Sequence, residues 1–523
     1  MSTTGVSKQN KLTAFDILDV QDFNERIVGA YNDGSAEMGL PADESTARSL
    51  IPAGTGQLRD FSYIAPDIPE FNAKNCVACM ECVTQCPDTA ILGKAIPEQE
   101  LNKKLSDADD FTASHFANTK KFYDAPKKQG KEPAKFGIFI DPTKCKGCAE
   151  CVDACGDHNA LKMIPKVDDT IPKYNRAFEF YKFAGPTPYE YINEKVLVDM
   201  MLAEESMLYV GGAGSCMGCG EGTVLRMLLA ATGFVYGRES IGLVASTGCN
   251  TVYGSTYPYN PFMVPWTNSL FENNSADAMG VRTRWNQMGW QDKKIWCIGG
   301  DGAMVDIGFQ SMSRLLASGM DINIIILDTQ AYSNTGGQAS TASFKGQEAK
   351  MSFHGKKIYG KTERRKEVAN ICMMHSDVFV AQTTAAHTNH FYKAIMAANK
   401  YTGPAVINVY TTCQPEHGVA DDKAIHQAKL AADSRTFPVF IYDPREGDRM
   451  SERLSLQGNP AKNKDWYINP KTSEQIDFLY FAKTEGRFAK HFDKDGNADE
   501  SLQLSQDDRL ANWHLLQELS GVI

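Results

Sequence analysis

Two short runs of cysteine constrain this chain more than any other feature of its sequence. The first reads Cys76-Val-Ala-Cys79-Met-Glu-Cys82-Val-Thr-Gln-Cys86-Pro87, the second Cys145-Lys-Gly-Cys148-Ala-Glu-Cys151-Val-Asp-Ala-Cys155. Thiolates at three-residue intervals let a tight loop wrap one face of a cubane, with backbone N–H groups free to bond its sulfides. The fourth cysteine of each run is expected to begin a helix and to reach toward the other cluster. In a two-cluster arrangement Cys76, Cys79, Cys82 and Cys155 would hold one [4Fe–4S] unit, and Cys145, Cys148, Cys151 and Cys86 the other. Zinc is the poorer reading, because zinc sites draw their four ligands in two pairs and not from two identical four-cysteine runs.

The rest of the composition agrees with thiols kept for metal. The chain has 523 residues, 14 of them Cys, and a formal charge of −10. That length is roughly three to four domains of about 150 residues. The negative balance argues against nucleic acid or an anionic membrane surface as the main partner. No apolar run reaches the roughly 18 residues of a membrane span, and the first ten residues, MSTTGVSKQN, lack the apolar segment of a secretory signal. A cytoplasmic protein is the expectation, and in that compartment thiols stay reduced.

The texture changes along the chain. Residues 1–65 read as a polar arm or linker. Residues 66–166 carry both cysteine runs, with a charged stretch at 98–135 that reads as a solvated insertion. From 195 to 420 short apolar runs alternate with Gly turns and helices. KKIWCIGG (293–300), INIIILDT (322–329) and AVINVY (405–410) read as buried parallel strands, and DIGFQSMSRLLASGM as the helix between the first two. The expected architecture is α/β, with a parallel-sheet domain, a small α+β domain for the cysteine runs, and extended terminal arms. Residues 421–523 read as an extension that wraps the domain or a neighbouring subunit.

The segment Gly299-Gly300-Asp301-Gly302 follows one of these strands and opens a helix, and Asp328-Thr329-Gln330-Ala331-Tyr332-Ser333-Asn334 ends the next. An acid at one strand end and oxygens at the next can converge on a hard cation in the crevice outside the carboxyl ends of a sheet. Gly300 and Gly302 let backbone approach a diphosphate. A lone GDG is common, but the full string, GDGAMVDIGFQSMSRLLASGMDINIIILDTQAYSNTGGQAS, together with GSCMGCGEG, closely resembles the thiamine domain of the pyruvate:ferredoxin (flavodoxin) oxidoreductases. The cysteine runs resemble the bacterial two-cluster ferredoxin module, which precedes that domain in the single-chain members. Gly156 departs from the module, which usually has Pro there. The resemblance covers roughly residues 45–490.

What the resemblance implies is specific. Asp301, Thr329 and the Ala331 carbonyl would hold Mg²⁺ beneath thiamine diphosphate, with Gly300, Gly302, Gly248 and Glu221 around the cofactor and Asn334 reaching the substrate. By spacing alone Cys216-Met-Gly-Cys219 is open to a zinc half-site or a redox pair. By resemblance, Cys216, Cys219, Cys249 and Cys413 bind a third [4Fe–4S] cluster beside the thiamine, although the flanks of Cys413 depart from the usual context. Cys297 and Cys372 read as core residues, His417 as a loop histidine, and the aromatic stretch 253–266 as a packed loop near the cofactor. The implied reaction converts pyruvate and coenzyme A to acetyl-CoA and CO₂ while reducing ferredoxin or flavodoxin. Such a chain would be a beta-type subunit. An alpha-type partner would supply the activating Glu and the substrate and coenzyme A sites, in a dimer of heterodimers. Another 2-oxoacid, a non-oxidative thiamine enzyme, or an electron-transfer subunit without thiamine chemistry are the competing readings.

Overall fold

In the computed structural model residues 19–39 and 44–523 are described, so residues 1–18 and 40–43 of the expected arm lie outside the account that follows. The described residues build an eight-stranded sheet in the order Leu454–Ser455, Phe440–Tyr442, Phe379–Thr384, Ala405–Tyr410, Asn323–Asp328, Lys294–Gly300, Ile241–Ser246, Trp266–Ser269. The strands from Phe379–Thr384 to Trp266–Ser269 are parallel; Phe440–Tyr442 pairs antiparallel with Phe379–Thr384, and Leu454–Ser455 antiparallel with Phe440–Tyr442. Asn323–Asp328 and Ala405–Tyr410 are buried at every position, as their Ile- and Val-rich runs favour when helices cover both faces. The expected helix is Phe309–Leu316, preceded by a wider turn at Gly302–Ile307 and followed by Gly319 at φ +70.

The C-terminal extension covers its own domain. Phe440–Tyr442 and Leu454–Ser455 lengthen the sheet, and the helix Glu500–Leu519 buries Trp513 and Leu516 in the core that holds Ile324 and Val406. Near the other end of the chain, Phe23, Ile27 and Val28 pack on Tyr259, and Arg59 lies between the rings of Phe61 and Tyr259.

The two cysteine runs have the same backbone. Ala78 and Met80 stand at φ +60 and +67, and Gly147 and Ala149, at the equivalent places, at φ +73 and +67. These left-handed residues turn main-chain N–H groups inward, and Ala78 N–H donates to Cys76 Sγ at 3.4 Å. One expectation is corrected: the fourth cysteines do not begin helices. Cys155 ends the helix Glu150–Cys155, and Cys86 follows the helix Glu81–Thr84, so each helix carries its chain away from one thiol set and delivers the last thiol to the other. Gly156 has φ +50, a conformation closed to the proline ring, which explains the departure at that position.

The 98–135 stretch is also more than a solvated insertion. Leu101 and Phe122 are fully buried, Phe116–Ala117 joins a three-stranded sheet with Ala134–Ile140 and Ile91–Pro97, and Lys121 pairs with the buried Asp199. Its charge runs disguise a sparse set of core residues. Cys82, Cys86, Val83, Val224 and Leu228 belong to one core cluster, so the cysteine-rich unit and the parallel sheet meet along the helix Gly220–Tyr236.

Candidate functional site

Four neighbouring strands of the sheet end at one crevice. Lys294–Gly300 delivers Asp301, Asn323–Asp328 delivers Thr329, Ile241–Ser246 delivers Thr247-Gly248-Cys249, and Ala405–Tyr410 delivers Cys413. A cavity of about 220 Å³ opens there, lined among others by Glu221, Gly248, Cys249, Gly300, Asp301 and Thr329.

The three oxygens expected to hold a cation are already together. Thr329 Oγ1 lies 3.2 Å from Asp301 Oδ1 and 3.1 Å from the Ala331 carbonyl oxygen. Octahedral Mg²⁺ with oxygens at about 2.1 Å sets neighbouring ligands about 3.0 Å apart, so the spacing fits that ion. Asp301 is 1% exposed, and burial together with the Asp328 carboxylate pushes its carboxyl well above the ordinary range. A divalent cation reverses that cost, which is the electrostatic sense of an acid placed so deep. Gly302 admits no side chain, since a Cβ would fall 2.7 Å from the Tyr332 ring.

Above this set stands Glu221, in the first turn of the helix Gly220–Tyr236. It is 4% exposed, its Oε2 accepts from Tyr253 Oη at 2.9 Å, and burial raises its carboxyl to about 7. The aromatic stretch 253–266 therefore reaches the cavity wall only through the Tyr253 bond to Glu221, while Phe262 and Trp266 stack on one another. Asn334 lies at the exposed mouth of the cavity.

The thiols fall into the three expected sets. Cys76, Cys79, Cys82 and Cys155 ring one void, and Cys86, Cys145, Cys148 and Cys151 ring another. Neither set meets at a point: among the described residues, no group of three or more His, Cys, Asp or Glu is close enough to hold a single metal ion. Ringed voids suit a cubane better than one zinc. Cys219 and Cys249 each feel both Cys413 and Cys216, and burial is the largest cause raising both thiols. Gln414 donates to the Gly218 carbonyl, and Gly220 N–H to the Thr412 carbonyl at 3.2 Å, which locks the Cys413 turn onto the Cys216–Cys219 loop. Cys297 and Cys372 are buried in the core of the sheet domain, away from these sets.

Several residues that brace the site were invisible to motif reading. Ser340 Oγ donates to Asp301 Oδ2 at 2.5 Å, and Tyr332 Oη to Asp306 Oδ2 at 2.6 Å. Asp328 is paired with Arg365, both fully buried. Gln330, at φ +55, is held by Arg487 Nη2 at 3.1 Å, and Arg487 donates to Glu485 at 2.6 Å. His417 is buried and donates from Nε2 to the Thr329 carbonyl at 2.8 Å, so it positions the turn and is more than a loop residue. Arg365, Glu485 and Arg487 lie far along the chain from the turn they support, and no local signal marks them.

Residues 246–409 match the family model of the thiamine pyrophosphate enzyme C-terminal TPP-binding domain. The chain is 26% identical over 507 residues to a probable pyruvate-flavodoxin oxidoreductase of Escherichia coli, covering 84% of this chain and 41% of that protein. It is 26% identical over 557 residues to a pyruvate:ferredoxin oxidoreductase of Moorella thermoacetica, covering 90% of this chain and 44% of that one. A solved 2-oxoglutarate:ferredoxin oxidoreductase from Magnetococcus marinus overlaps 38% of this chain and 64% of its own at 20% identity, with a TM-score of 0.33. The chain thus spans less than half the length of the curated relatives it matches. Over most of its length this chain is similar to the pyruvate-flavodoxin and pyruvate:ferredoxin oxidoreductases, and within it residues 246–409 form a thiamine pyrophosphate enzyme C-terminal domain.

Proposed function

We propose that this chain is the thiamine- and iron–sulfur-bearing subunit of a cytoplasmic 2-oxoacid:ferredoxin or flavodoxin oxidoreductase. Pyruvate and coenzyme A are its substrates, and acetyl-CoA, CO₂ and reduced acceptor its products. The observation that carries the reading is that Cys249 does two things at once: it lines the cavity of Asp301 and Thr329, and it belongs to the thiol set of Cys216, Cys219 and Cys413. A thiamine enzyme without electron transfer has no use for thiols at that wall.

Asp301, Thr329 and the Ala331 carbonyl would hold Mg²⁺, and main chain at Gly300 and Gly302 would approach the diphosphate. Thiamine diphosphate, when bound, acts as the electron sink for decarboxylation of a 2-oxoacid. Glu221 sits with its carboxyl near 7, so it can hold or release a proton at neutral pH, and the Tyr253 hydroxyl fixes its orientation. Phe271 and Ile307 give the cavity apolar walls that limit water. Asn334, at the mouth, is placed to meet the substrate. The sets at Cys216, Cys145 and Cys76 would form a one-electron path from the cavity to the acceptor.

In this reading an alpha-type subunit supplies the activating Glu and the coenzyme A site, in a dimer of heterodimers. The test is pyruvate- and coenzyme-A-dependent reduction of ferredoxin by anaerobically purified protein, with and without the partner. Activity that needs both chains supports the proposal. Faster turnover with 2-oxoglutarate or a branched or aryl oxoacid overturns the substrate, and bound thiamine without iron overturns the electron path.

A further inference from the structure

The helix Gly220–Tyr236 joins the two halves of the described structure, and its second turn carries a charge that neither half neutralises. Arg226 is 4% exposed. Its Nη1 donates to the carbonyl oxygens of Val83 and, at 2.9 Å, of Cys86. Val83 adjoins Cys82 of one thiol set and Cys86 belongs to the other, so one guanidinium bridges the backbone of both.

Burial pulls Arg226 down from its ordinary value, and the groups that push back are Cys86, Tyr181, Asp88 and Cys82. Among the described residues no carboxylate forms an ion pair with it. Asp88, the one acid in that group, is already paired with the buried Lys146 at 2.7 Å. Lys146 also donates to the Ala213 and Ser215 carbonyls and to Ser215 Oγ at 2.9–3.0 Å, which ties the loop after Cys145 to the loop before Cys216. That pair is neutral as a unit, whereas Arg226 is not. Burying a cation without a counter-charge is unfavourable, and carbonyl dipoles supply only partial charge against it. An arginine stays protonated even so.

The missing negative charge is at hand. Four-thiolate iron–sulfur clusters carry a net negative charge that grows by one on reduction. We propose that Arg226 is the buried counter-ion of the two clusters of the cysteine-rich unit, a fixed positive charge supplied across the seam by the thiamine-binding unit. It raises their reduction potentials, because in a low-dielectric interior a nearby cation favours the more negative oxidation state. With the clusters bound, that shift would favour their holding electrons. The inference rests on the proposed reading of the eight cysteines as cluster ligands.

The test is an electrochemically poised EPR titration of the anaerobically purified, iron-loaded protein with its partner, wild type against Arg226→Met and Arg226→Lys. With wild-type iron content, the Met variant is expected to lower the midpoint of at least one of these clusters by tenfold or more in the redox equilibrium, which is 59 mV for one electron. The Lys variant, which keeps the charge and loses the planar fork, is expected to stay within tenfold of wild type. A loaded Met variant with a smaller shift reduces Arg226 to a carbonyl cap and overturns the inference, as does a Lys variant displaced as far as the Met variant. Should the Met variant fail to take up iron, the Lys variant decides. Full loading with a near-normal potential supports the counter-ion, and failure to load shows that geometry is what the site needs. Wild-type protein without the two signals overturns the reading of the cysteines, whereas signals that are present but unmoved overturn this inference alone.

Discussion

At the residue scale the site is a matter of a few oxygens whose spacing matches one ion. Thr329 Oγ1 stands 3.2 Å from Asp301 Oδ1 and 3.1 Å from the Ala331 carbonyl. Ser340, behind Asp301, holds the other carboxylate oxygen. Ser340→Ala should therefore weaken Mg²⁺–thiamine diphosphate binding by about 10-fold, the lower end of what orienting partners contribute. Asp301→Asn, which removes the anionic ligand itself, should weaken it by more than about 100-fold, and calorimetric titration checks both. Asp301 and Thr329 were legible from the motif because strand, Gly turn and acid are local. Ser340 and Tyr332 were not, since their role depends on a loop folding back over the strand ends.

At the scale of elements, two kinds of support are visible. The turn after Asn323–Asp328 is braced by Arg365, Glu485 and Arg487, buried charges contributed by a later loop and by the C-terminal extension. Arg487→Met leaves Glu485 buried without its cation. The expected cost is about 3 kcal/mol in denaturant unfolding, together with weaker cofactor binding from a loosened turn. The second support is the helix Thr388–Lys400, where half-buried His390 accepts or donates at Thr383 Oγ1, 2.9 Å away, and is held down to about 3 by desolvation first and by His387 and Lys393 next. A histidine with a depressed folded value contributes stability above its unfolded value of about 6.5 and loses it as pH falls toward 3. By pH 5 the loss is about 2 kcal/mol, so His390→Gln should flatten the acid side of the thermal midpoint profile relative to wild type. The parallel strands and their helix were readable from period and length. The core of the 98–135 stretch was not, because Leu101 and Phe122 are isolated among charges and their burial depends on the strand Ala134–Ile140.

For the whole molecule, the cysteine-rich unit and the parallel sheet share one core along Gly220–Tyr236, and Cys82, Cys86, Cys145, Cys151 and Cys155 lie within it. Three loaded cubanes amount to about twelve Fe per chain, and Cys413→Ser should retain about eight while keeping the EPR signals of the other two. Iron analysis and spectroscopy of the same sample check this. The order of cysteines along the chain determined, without any structure, that each run would fold as a tight loop presenting its thiols together, because loop wrapping is set by local spacing. The GDG turn likewise determined that an acid would stand at the carboxyl end of a strand. Only the tertiary structure decided which strand ends adjoin, and so brought Cys249 and Cys413 to the same crevice as Asp301. It also decided where buried charge lies unpaired: Arg226 looks like any helical arginine until the helix is docked on the carbonyls of Val83 and Cys86. Local spacing fixes loops and turns, whereas adjacency across a sheet and the desolvation of a charge exist only once the chain has packed.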